Sequence, residues 1–500
     1  MLFWKSNLIY AERKEGNYTN KRKLPSLFFD FSLLFLTVFL SWNYIGILFI
    51  YFLFRLFKDI DKYRNSSFKT FFSISLLYIF IWHLGVLFWM FNIEEGIYAF
   101  FLSFIYYFSP FTLYYFINKY LKKCLFAFIP IWILFEFFLD YLDFTFPWLI
   151  IGNCLSNSKF LPQIYELIGS VGGSFILLIL SYFLYKSKNF KAKILYSTLF
   201  ISGLYIFGIY SVFGKVDNST TIKLNYLIFD PEKFYKINKY IDNEELAFYL
   251  KKKVDYFNVD KILLPEQAFR SISYKNFENT LVYDYLKAIC KKNNTEIYFG
   301  STGVLEKGKI SNIVVLFNER QMLIKTKDKL VPFSEYIPNF MRKLFPKRIS
   351  YDYIDNDDLK TIKVLSKELP VICYEIISSN YVSKNIDNIN LICLLTSEKF
   401  FNNSFFGEKQ YDNIIKLRAI ECRKPIIKAS NTGLSYFMDK HGVIIKQSNR
   451  ELTLFEINVK KNGYLDKSLY SSFVSKYFFI PVLQLLTLLI LILIKNEYKT

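Results

Sequence analysis

Histidine is almost absent from this chain, which has two among its 500 residues. His83 lies inside an apolar stretch, and His441 stands in the turn-like segment DKHG. Neither is near the polar strand-end motifs described below, so a Ser-His-Asp or Cys-His catalytic group has no candidate base. We interpret His441 as a solvated turn residue. We interpret His83 as a helix-packing residue, with an intramembrane functional role as the alternative.

Cysteine and glycine are also scarce, at 6 and 18 residues. The cysteines form no close-spaced pair, so neither a disulfide framework nor a zinc site is indicated. No glycine-rich loop matches a phosphate-binding cradle. Five cysteines have the setting of small apolar core residues. Cys373 differs, because it follows an apolar run and precedes Tyr374 and Glu375, where a thiol can face a pocket; a purely structural cysteine is the equal alternative.

Hydrophobic residues, in contrast, make up 53% of the chain, and 20% of it is aromatic. A bilayer-spanning helix needs roughly 20 mostly apolar residues. We therefore predict about eight transmembrane segments, at 24–42, 43–57, 69–91, 96–116, 123–140, 165–185, 193–213 and 478–494. The first two are short and adjoin, as in a tight hairpin. The opening segment has no apolar core ahead of its basic cluster, so no cleavable signal peptide is expected.

The net charge of +20 comes from Lys and Arg spread over loops and membrane flanks instead of one groove, so nucleic-acid binding is not indicated. Basic loops alternate with non-basic ones, and basic loops remain in the cytoplasm. This alternation predicts three parts: an N-terminal membrane domain at 1–213, an extracytoplasmic domain at 214–476, and a closing transmembrane helix with a cytoplasmic tail at 477–500.

The segment 214–476 has a different pattern from its flanks. Short β-branched runs such as KILLP, ISNIVVLF and INLICLLTS alternate with helical stretches at about 232–258, 276–292 and 409–422. This alternation predicts an α/β layered fold whose strands are buried on both faces.

Three polar motifs stand at the ends of predicted strands. Glu266 follows the buried-type strand of KILLPEQAF, where desolvation can make a carboxylate a useful base. Three alternating lysines in IKTKDKLVPFSEYIP lead into a turn, and Cys373 closes the apolar run of LPVICYEII. A carboxylate, an ammonium group and a thiol at strand ends can form one site.

The order of these motifs, followed by RAIECRKPIIKASNTGLSYFMDKHGVI, resembles the carbon-nitrogen hydrolase (nitrilase) superfamily with its Glu-Lys-Cys triad. Seven preceding membrane segments, one following segment and FPWL at 146–149 make the chain similar to the apolipoprotein N-acyltransferase family in particular. The resemblance covers essentially the whole chain. It implies a four-layer αββα sandwich for the extracytoplasmic domain.

The resemblance also implies roles for individual residues. The catalytic base corresponds to Glu266, the lysine to Lys327 and the nucleophile to Cys373. Lys325 and Lys329 are neighbours that a shifted register would substitute for Lys327.

Supporting residues follow from the same family pattern. Glu335, Tyr374 and Glu375 match positions that the family uses to support the site. The loop after a late strand departs from that pattern, since TSEKFFNN, with Ser397 and Phe400, replaces the usual Asn-Asp and Trp-Phe.

Two segments have the composition of a lipid-facing surface. The stretch 336–349 alternates apolar residues with Arg and Lys, and 400–406 exposes four phenylalanines if it is a loop. Hydrophobic caps of the sandwich are the alternative for both. For Trp148, an interfacial anchor and a substrate contact are both consistent with the FPWL motif.

The resemblance implies that a fatty acyl chain passes from a glycerophospholipid, through a thioester on Cys373, to the α-amino group of the diacylglyceryl-modified N-terminal cysteine of an apolipoprotein. It implies no metal or diffusible cofactor, a monomer, and a bacterial inner membrane with the catalytic domain on the periplasmic side. The alternatives are a membrane-tethered amidase or nitrilase and an inactive scaffold or transporter. Few intramembrane charges argue against transport, with Glu136 as the main exception.

Overall fold

A computed structural model describes residues 24–93, 96–120, 124–142, 144–214, 221–231, 242–304, 310–338, 341, 343, 359–448, 450–460 and 468–477. The predicted transmembrane segment at 478–494 and most of the proposed lipid-facing stretch 336–349 lie outside these residues.

The first part of the described chain is helical because its residues are apolar over long uninterrupted runs. The helices are α1 (Leu24–Asn43), α2 (Phe49–Tyr63), α3 (Phe68–Leu87), α4 (Gly96–Tyr106), α5 (Ser109–Tyr120), α6 (Phe128–Leu139), α7 (Tyr165–Lys186) and α8 (Phe190–Phe213). The predicted segment 96–116 is divided between α4 and α5, because Pro110 has no N–H to continue the helical hydrogen bonds.

Four helical segments are long and apolar enough to cross a membrane, and they are Phe68–Asn92, Gly96–Lys119, Leu161–Lys186 and Phe190–Phe213. Shorter apolar helices lie at Phe29–Asn43 and Leu125–Leu139. A multi-pass helical membrane domain is therefore confirmed, while the number of eight crossings stays a prediction.

The described residues from 221 onward form two β-sheets and the helices that flank them. The strands are β1 (Thr221–Phe229), β2 (Lys261–Leu263), β3 (Phe269–Ser273), β4 (Glu296–Val304), β5 (Ile310–Phe317), β6 (Met322–Thr326), β7 (Glu368–Ile372), β8 (Leu391–Ser397), β9 (Ile426–Asn431), β10 (Ser435–Met438), β11 (Ile444–Ser448) and β12 (Leu452–Lys460). The first sheet has the order β12-β1-β2-β4-β5-β6, with β3 paired to β4, and the second has the order β11-β10-β9-β8-β7.

Helices pack around these sheets. They are α9 (Asn243–Val254), α10 (Leu281–Asn293), α11 (Leu359–Ser366), α12 (Ser379–Asn385), α13 (Phe405–Cys422) and α14 (Leu469–Tyr477). Helix α11 lies beside β6 and β7, where Ile362 joins the cluster between the sheets. The inner faces of the two sheets share one apolar cluster, in which Tyr298 and Leu316 of the first sheet meet Cys393 and Ile427 of the second. A separate cluster joins the outer face of the first sheet to α9 and α10. The predicted αββα sandwich is thus confirmed.

The fourth layer of the sandwich packs directly on the membrane helices. Residues of β7, β8 and α13 belong to the same apolar cluster as the cores of α2, α3 and α7. Helix α7 bends at Gly169, whose φ of +67° an L-residue rarely adopts. The bend frees the N–H of Ser170, which donates to Glu421 of α13 at 2.7 Å. The sandwich and the membrane part therefore share one core.

Cys373 lies where a strand meets a turn, as its sequence context indicates, because β7 ends at Ile372 and a 3₁₀ helix, Cys373–Ile377, follows. The structure corrects one expectation about the strands. Strand β11 is not buried on both faces, since it forms the edge of its sheet and Ile445 is 54% exposed.

Candidate active site

The predicted nucleophile stands where β7 turns into the 3₁₀ helix. Cys373 is partly buried and has a φ of +45°, an uncommon conformation for a residue with a side chain. The Tyr411 hydroxyl donates to the Cys373 carbonyl at 3.0 Å, and the N–H of Ile372 donates to Glu375 at 2.7 Å. The turn is therefore held from both sides, which maintains the strained backbone.

The predicted lysine joins two carboxylates beside this turn. Lys327 Nζ donates to Glu335 Oε1 at 2.7 Å and to Glu266 Oε1 at 3.1 Å. All three residues are buried, and Lys327 is only 1% exposed. The second oxygen of Glu335 accepts from the N–H of Val331 at 2.8 Å. The structure thus brings Glu266, Lys327 and Glu335 into one cluster.

Glu266 is placed by a close approach of two backbones. Its carbonyl accepts from Asn431 Nδ2 at 2.6 Å, and its Oε2 accepts from the N–H of Ser397 at 3.1 Å. Gly300 of β4 lies against it, since a Cβ on Gly300 would be 2.7 Å from the Glu266 Cα. Only glycine allows this approach, which fixes the carboxylate at the end of β2.

Asn312 is a site residue that sequence reasoning did not identify. Its Nδ2 donates to Glu266 Oε1 at 2.7 Å and to Glu335 Oε1 at 3.0 Å, so the amide holds both carboxylates toward Lys327. A signal existed in the sequence, because Asn312 is a polar residue inside the apolar strand ISNIVVLF. A buried amide in such a strand needs polar partners.

The charges of the cluster act on the thiol. Burial raises the pKa of Cys373 to about 12, the negative charge of Glu266 adds to the rise, and Lys327 opposes it. Burial alone would lower the pKa of Lys327, but Glu266 and Glu335 overcome it and hold that pKa well above its ordinary value. At neutral pH the resting site therefore has a neutral thiol and an ammonium group, and attack by sulfur needs a base.

Lys325 has another partner. Its Nζ lies 2.5 Å from both carboxylate oxygens of Glu375, which also accept from the N–H groups of Asp328 and Ile372. Burial raises the pKa of Glu375, and the charge of Lys325 opposes this rise. The pair ties the end of β6 to the nucleophile turn, so Lys325 is not part of the Glu266 cluster. Lys329 lines a separate small pocket beside Leu330 and Tyr374.

Four aromatic rings stack in a row beneath the turn. Tyr374 stacks on Phe146 with ring centres 6.1 Å apart, Phe146 on Trp148 at 5.2 Å, and Trp148 on Tyr411 at 6.3 Å. The Tyr374 hydroxyl donates to the carbonyl of Thr145 at 3.1 Å. Phe146 and Trp148 of the FPWL segment therefore support the nucleophile turn, through Tyr374 and Tyr411 respectively.

This packing corrects the expectations for the apolar loops. Trp148 is 1% exposed and donates through Nε1 to Gln410 at 2.9 Å, so it is neither an interfacial anchor nor exposed to substrate here. The segment 400–406 does not expose all four phenylalanines. Phe401 is 4% exposed and packs on Trp148, whereas Phe405, at the start of α13, is 63% exposed.

The two intramembrane polar residues have structural partners. Glu136 accepts from Trp132 Nε1 at 3.0 Å and from the N–H of Ile151 at 2.8 Å, so it joins α6 to the following 3₁₀ segment. His83 is fully buried with its Nδ1 at 3.0 Å from the carbonyl of Ile79, within the same helix. The second histidine, His441, is partly buried and contacts Arg423.

An apolar pocket opens beside the cluster. Its walls come from both parts of the protein, with Met90, Ala99, Leu102, Tyr106 and Phe146 from the membrane part and Val331, Pro332, Phe333 and Phe400 from the sandwich. Val331 contributes both the pocket wall and the N–H that binds Glu335. Val331 therefore joins the wall of this apolar pocket to the charged cluster.

Comparison with known proteins agrees with this arrangement. Residues 31–183 match the model of the apolipoprotein N-acyltransferase N-terminal domain, and residues 251–460 match that of carbon-nitrogen hydrolase. The apolipoprotein N-acyltransferase of Rickettsia typhi is 29% identical, and the alignment covers 68% of this chain and 69% of that protein. That of Haemophilus influenzae is 27% identical with the same coverages.

Among solved structures, a nitrilase-superfamily protein of Saccharomyces cerevisiae aligns with 52% of this chain and 97% of its own, at 12% identity and a TM-score of 0.33. The two matched family models, in this order along the chain, correspond to the helical membrane part and to the sandwich. The chain belongs to the apolipoprotein N-acyltransferase family of the carbon-nitrogen hydrolase superfamily and is an acyltransferase of a bacterial membrane.

Proposed function

We propose that the protein transfers a fatty acyl chain from a glycerophospholipid to the free α-amino group of the diacylglyceryl-modified N-terminal cysteine of an apolipoprotein, by a ping-pong reaction through a thioester on Cys373. One observation carries the proposal. Val331 lines an apolar pocket whose walls come partly from membrane helices, and its N–H binds Glu335, which holds Lys327 in the charged cluster. A lipid in the bilayer can enter such a pocket without leaving its apolar surroundings.

The first half-reaction breaks an acyl ester. Glu266 takes the proton of the Cys373 thiol as sulfur attacks the ester carbonyl, since a thiol with a raised pKa is not ionised beforehand. The negative oxygen of the tetrahedral intermediate is stabilised by the Lys327 ammonium and by a backbone N–H near Tyr374. The proton on Glu266 passes to the departing alcohol, which leaves the acyl thioester and a lysophospholipid.

The second half-reaction forms an amide. The neutral α-amine attacks the thioester carbonyl, Glu266 accepts the amine proton, and the proton returns to sulfur as the thiolate leaves. An α-amino group has a pKa of about 8, so a useful neutral fraction exists at physiological pH. Glu335 and Asn312 act indirectly, because they orient Lys327 and Glu266 through the bonds described above.

Several structural features support this assignment over hydrolysis of a small carbon-nitrogen substrate. The fourth layer of the sandwich packs on the membrane helices. The nucleophile turn packs on Phe146, which stacks on Trp148 of the membrane part. A tethered hydrolase needs neither feature. We infer that both lipids enter from one leaflet, on the periplasmic side of the inner membrane.

Labelling separates the alternatives. Purified protein is incubated with phospholipid that carries a labelled acyl chain, and hydroxylamine-sensitive label on the protein is measured before and after addition of a diacylated lipopeptide with a free N-terminus. We expect label on the parent protein, none on Cys373→Ala, and transfer of the label to the peptide amine. Release of labelled fatty acid that does not depend on the peptide, or release of ammonia from a small amide, would identify a hydrolase, and a protein that shows none of these activities would be an inactive scaffold.

A further inference from the structure

A buried lysine of β9 pairs with two carboxylates outside the Glu266 cluster. Lys428 is 0% exposed. Its Nζ lies 2.7 Å from Asp412 Oδ1 of α13 and also contacts Glu398 Oε1, in the turn that follows β8. Burial of an ammonium group is costly unless the charge is paired, and these two carboxylates supply the pairing. The reaction proposed above assigns no role to any of these three side chains.

One set of contacts leads from this lysine to the nucleophile turn. Lys428 Nζ lies 5.7 Å from the ring centre of Tyr411, within the range of a cation–π contact, and it binds Asp412, the next residue of α13. The Tyr411 hydroxyl donates to the carbonyl of Cys373 at 3.0 Å and lies 3.2 Å from the Thr396 hydroxyl. Lys428 therefore holds the part of α13 that supports the backbone of the nucleophile.

A second set of contacts leads from the same lysine to the proposed base. Glu398 directly follows Ser397, whose N–H donates to Glu266 Oε2 at 3.1 Å. Glu398 is 2% exposed, and its Oε1 accepts from Ser430 Oγ at 3.0 Å in addition to its contact with Lys428. Two residues of β9 thus hold the Glu398 carboxylate. The turn after β8 is thereby tied to β9, together with the N–H that orients the Glu266 carboxylate.

The space that the Glu398 carboxylate occupies exists because residue 433 is a glycine. A Cβ on Gly433 would lie 2.0 Å from Glu398 Oε2 and 2.2 Å from its Cδ. Atoms this close cannot coexist in a packed interior, so a methyl group at Gly433 would displace the carboxylate from Lys428. This substitution would disturb the pair while every charged side chain is retained.

We propose that Lys428 is a positioning residue for acyl transfer, which keeps the base and the nucleophile in one arrangement. It touches no reacting atom, and it acts on Glu266 through Glu398 and on Cys373 through Tyr411. The inference rests on the proposed roles of Glu266 and Cys373. Because misplaced reacting groups slow the chemical step and leave substrate binding intact, loss of this lysine lowers the maximal rate and not the affinity for substrate.

The test uses the full chain in detergent with phospholipid that carries a labelled acyl chain. The rate of hydroxylamine-sensitive labelling is measured over a range of phospholipid concentrations, well below the Tm of each variant, to give the maximal rate and the half-saturating concentration. Lys428→Met removes the charge, and Gly433→Ala displaces Glu398 with all charges kept. The matched control is Gly203→Ala in α8, where an added Cβ has no described atom within 4 Å.

We expect the maximal rate to fall about 10- to 100-fold in Lys428→Met and in Gly433→Ala, with an unchanged half-saturating concentration and a normal Gly203→Ala control. A lower Tm with an unchanged maximal rate would make the lysine purely structural and overturn the inference. A change confined to the half-saturating concentration would also overturn it.

The outcome for the proposed function is separate. A parent protein that takes no label overturns that function, whereas equal labelling of the parent and both variants overturns the role of Lys428 alone. If Lys428→Met does not fold, Glu398→Gln removes one charge of the pair with the side-chain shape kept, and the same criteria apply.

Discussion

The ammonium nitrogen of Lys327 lies 2.7 Å from Glu335 Oε1, although a turn containing a proline separates the two residues along the chain. The same nitrogen reaches Glu266, which comes from a different strand. Lys327 therefore joins Glu266, the proposed base, to a second carboxylate, and neither Lys325 nor Lys329 is seen to make these contacts.

Replacement of this lysine tests that assignment. In Lys327→Met, two buried carboxylates lose their shared cation and the intermediate loses an oxyanion donor, a loss of about 2.7–4 kcal/mol. We expect acyl labelling of Cys373 to fall by about 10²–10³-fold. Lys329→Met is the control, because Lys329 lines a different pocket. Normal labelling by Lys327→Met with loss in Lys329→Met would mean that the register is wrong.

Asn312→Leu removes the amide that donates to both carboxylates. Hydrogen bonds to charged groups contribute about 1.5–3 kcal/mol, so we expect kcat to fall about 10–100-fold, with little change in KM because Asn312 touches no substrate. Asn312→Asp keeps the shape but cannot donate when ionised, and should be at least as impaired. Unchanged kcat in steady-state assays of Asn312→Leu would remove it from the site.

The reactivity of the thiol should depend on pH in a defined way. Burial and Glu266 raise the pKa of Cys373 to about 12, so the thiolate fraction grows about tenfold per pH unit below that value. Alkylation by iodoacetamide, followed by mass spectrometry of the Cys373 peptide, should therefore accelerate from pH 6 to pH 10 without a plateau. Lys327→Met should be slower at each pH, because Lys327 lowers the pKa. A plateau near neutral pH would indicate a preformed thiolate and contradict general-base activation.

Two glycines of β4, Gly300 and Gly303, test whether the backbone contact with Glu266 positions its carboxylate. In Gly300→Ala the new methyl group would meet the backbone of Glu266 and Gln267 at under 3 Å, and neither can move without displacing the carboxylate. In Gly303→Ala the nearest atom is the end of the Ile313 side chain at 2.9 Å, which can rotate. We expect labelling to be largely lost in the first variant and retained in the second. Equal activity would mean that this contact does not position Glu266.

We expect the Lys325–Glu375 pair to stabilise the fold and Glu375 to position the nucleophile turn. Breaking a buried pair costs about 3–5 kcal/mol, so Glu375→Leu should strongly lower the Tm. Lys325→Met/Glu375→Leu should recover much of that loss, since no unpaired charge remains. Activity should stay low in the double variant, because the N–H of Ile372 has lost its acceptor. Recovery of both stability and activity would leave Glu375 with no role in holding the nucleophile turn.

Features that depend on neighbouring residues were predictable from the sequence, and contacts between residues far apart in the chain were not. Strand ends were predictable at Glu266 and Cys373, because an apolar run followed by a polar residue is a local pattern. The α/β layering and the helical membrane part were predictable for the same reason, whereas the four-layer αββα arrangement was implied by the family resemblance; all three are confirmed. Strands β9 and β10 were not singled out, because short polar-interrupted runs such as IIKASN carry a weak period-2 signal.

The sequence by itself determined the apolar stretches, the strand-end chemistry and the order of three motifs along the chain, since each depends on neighbouring residues. Only the tertiary structure decided that Lys327 and not Lys325 meets Glu266, that Asn312 joins the two carboxylates, and that Trp148 is buried beneath the nucleophile turn. These relationships depend on sheet register and on the packing of the sandwich against the membrane helices. Such contacts join residues far apart in the chain, and no local pattern encodes them.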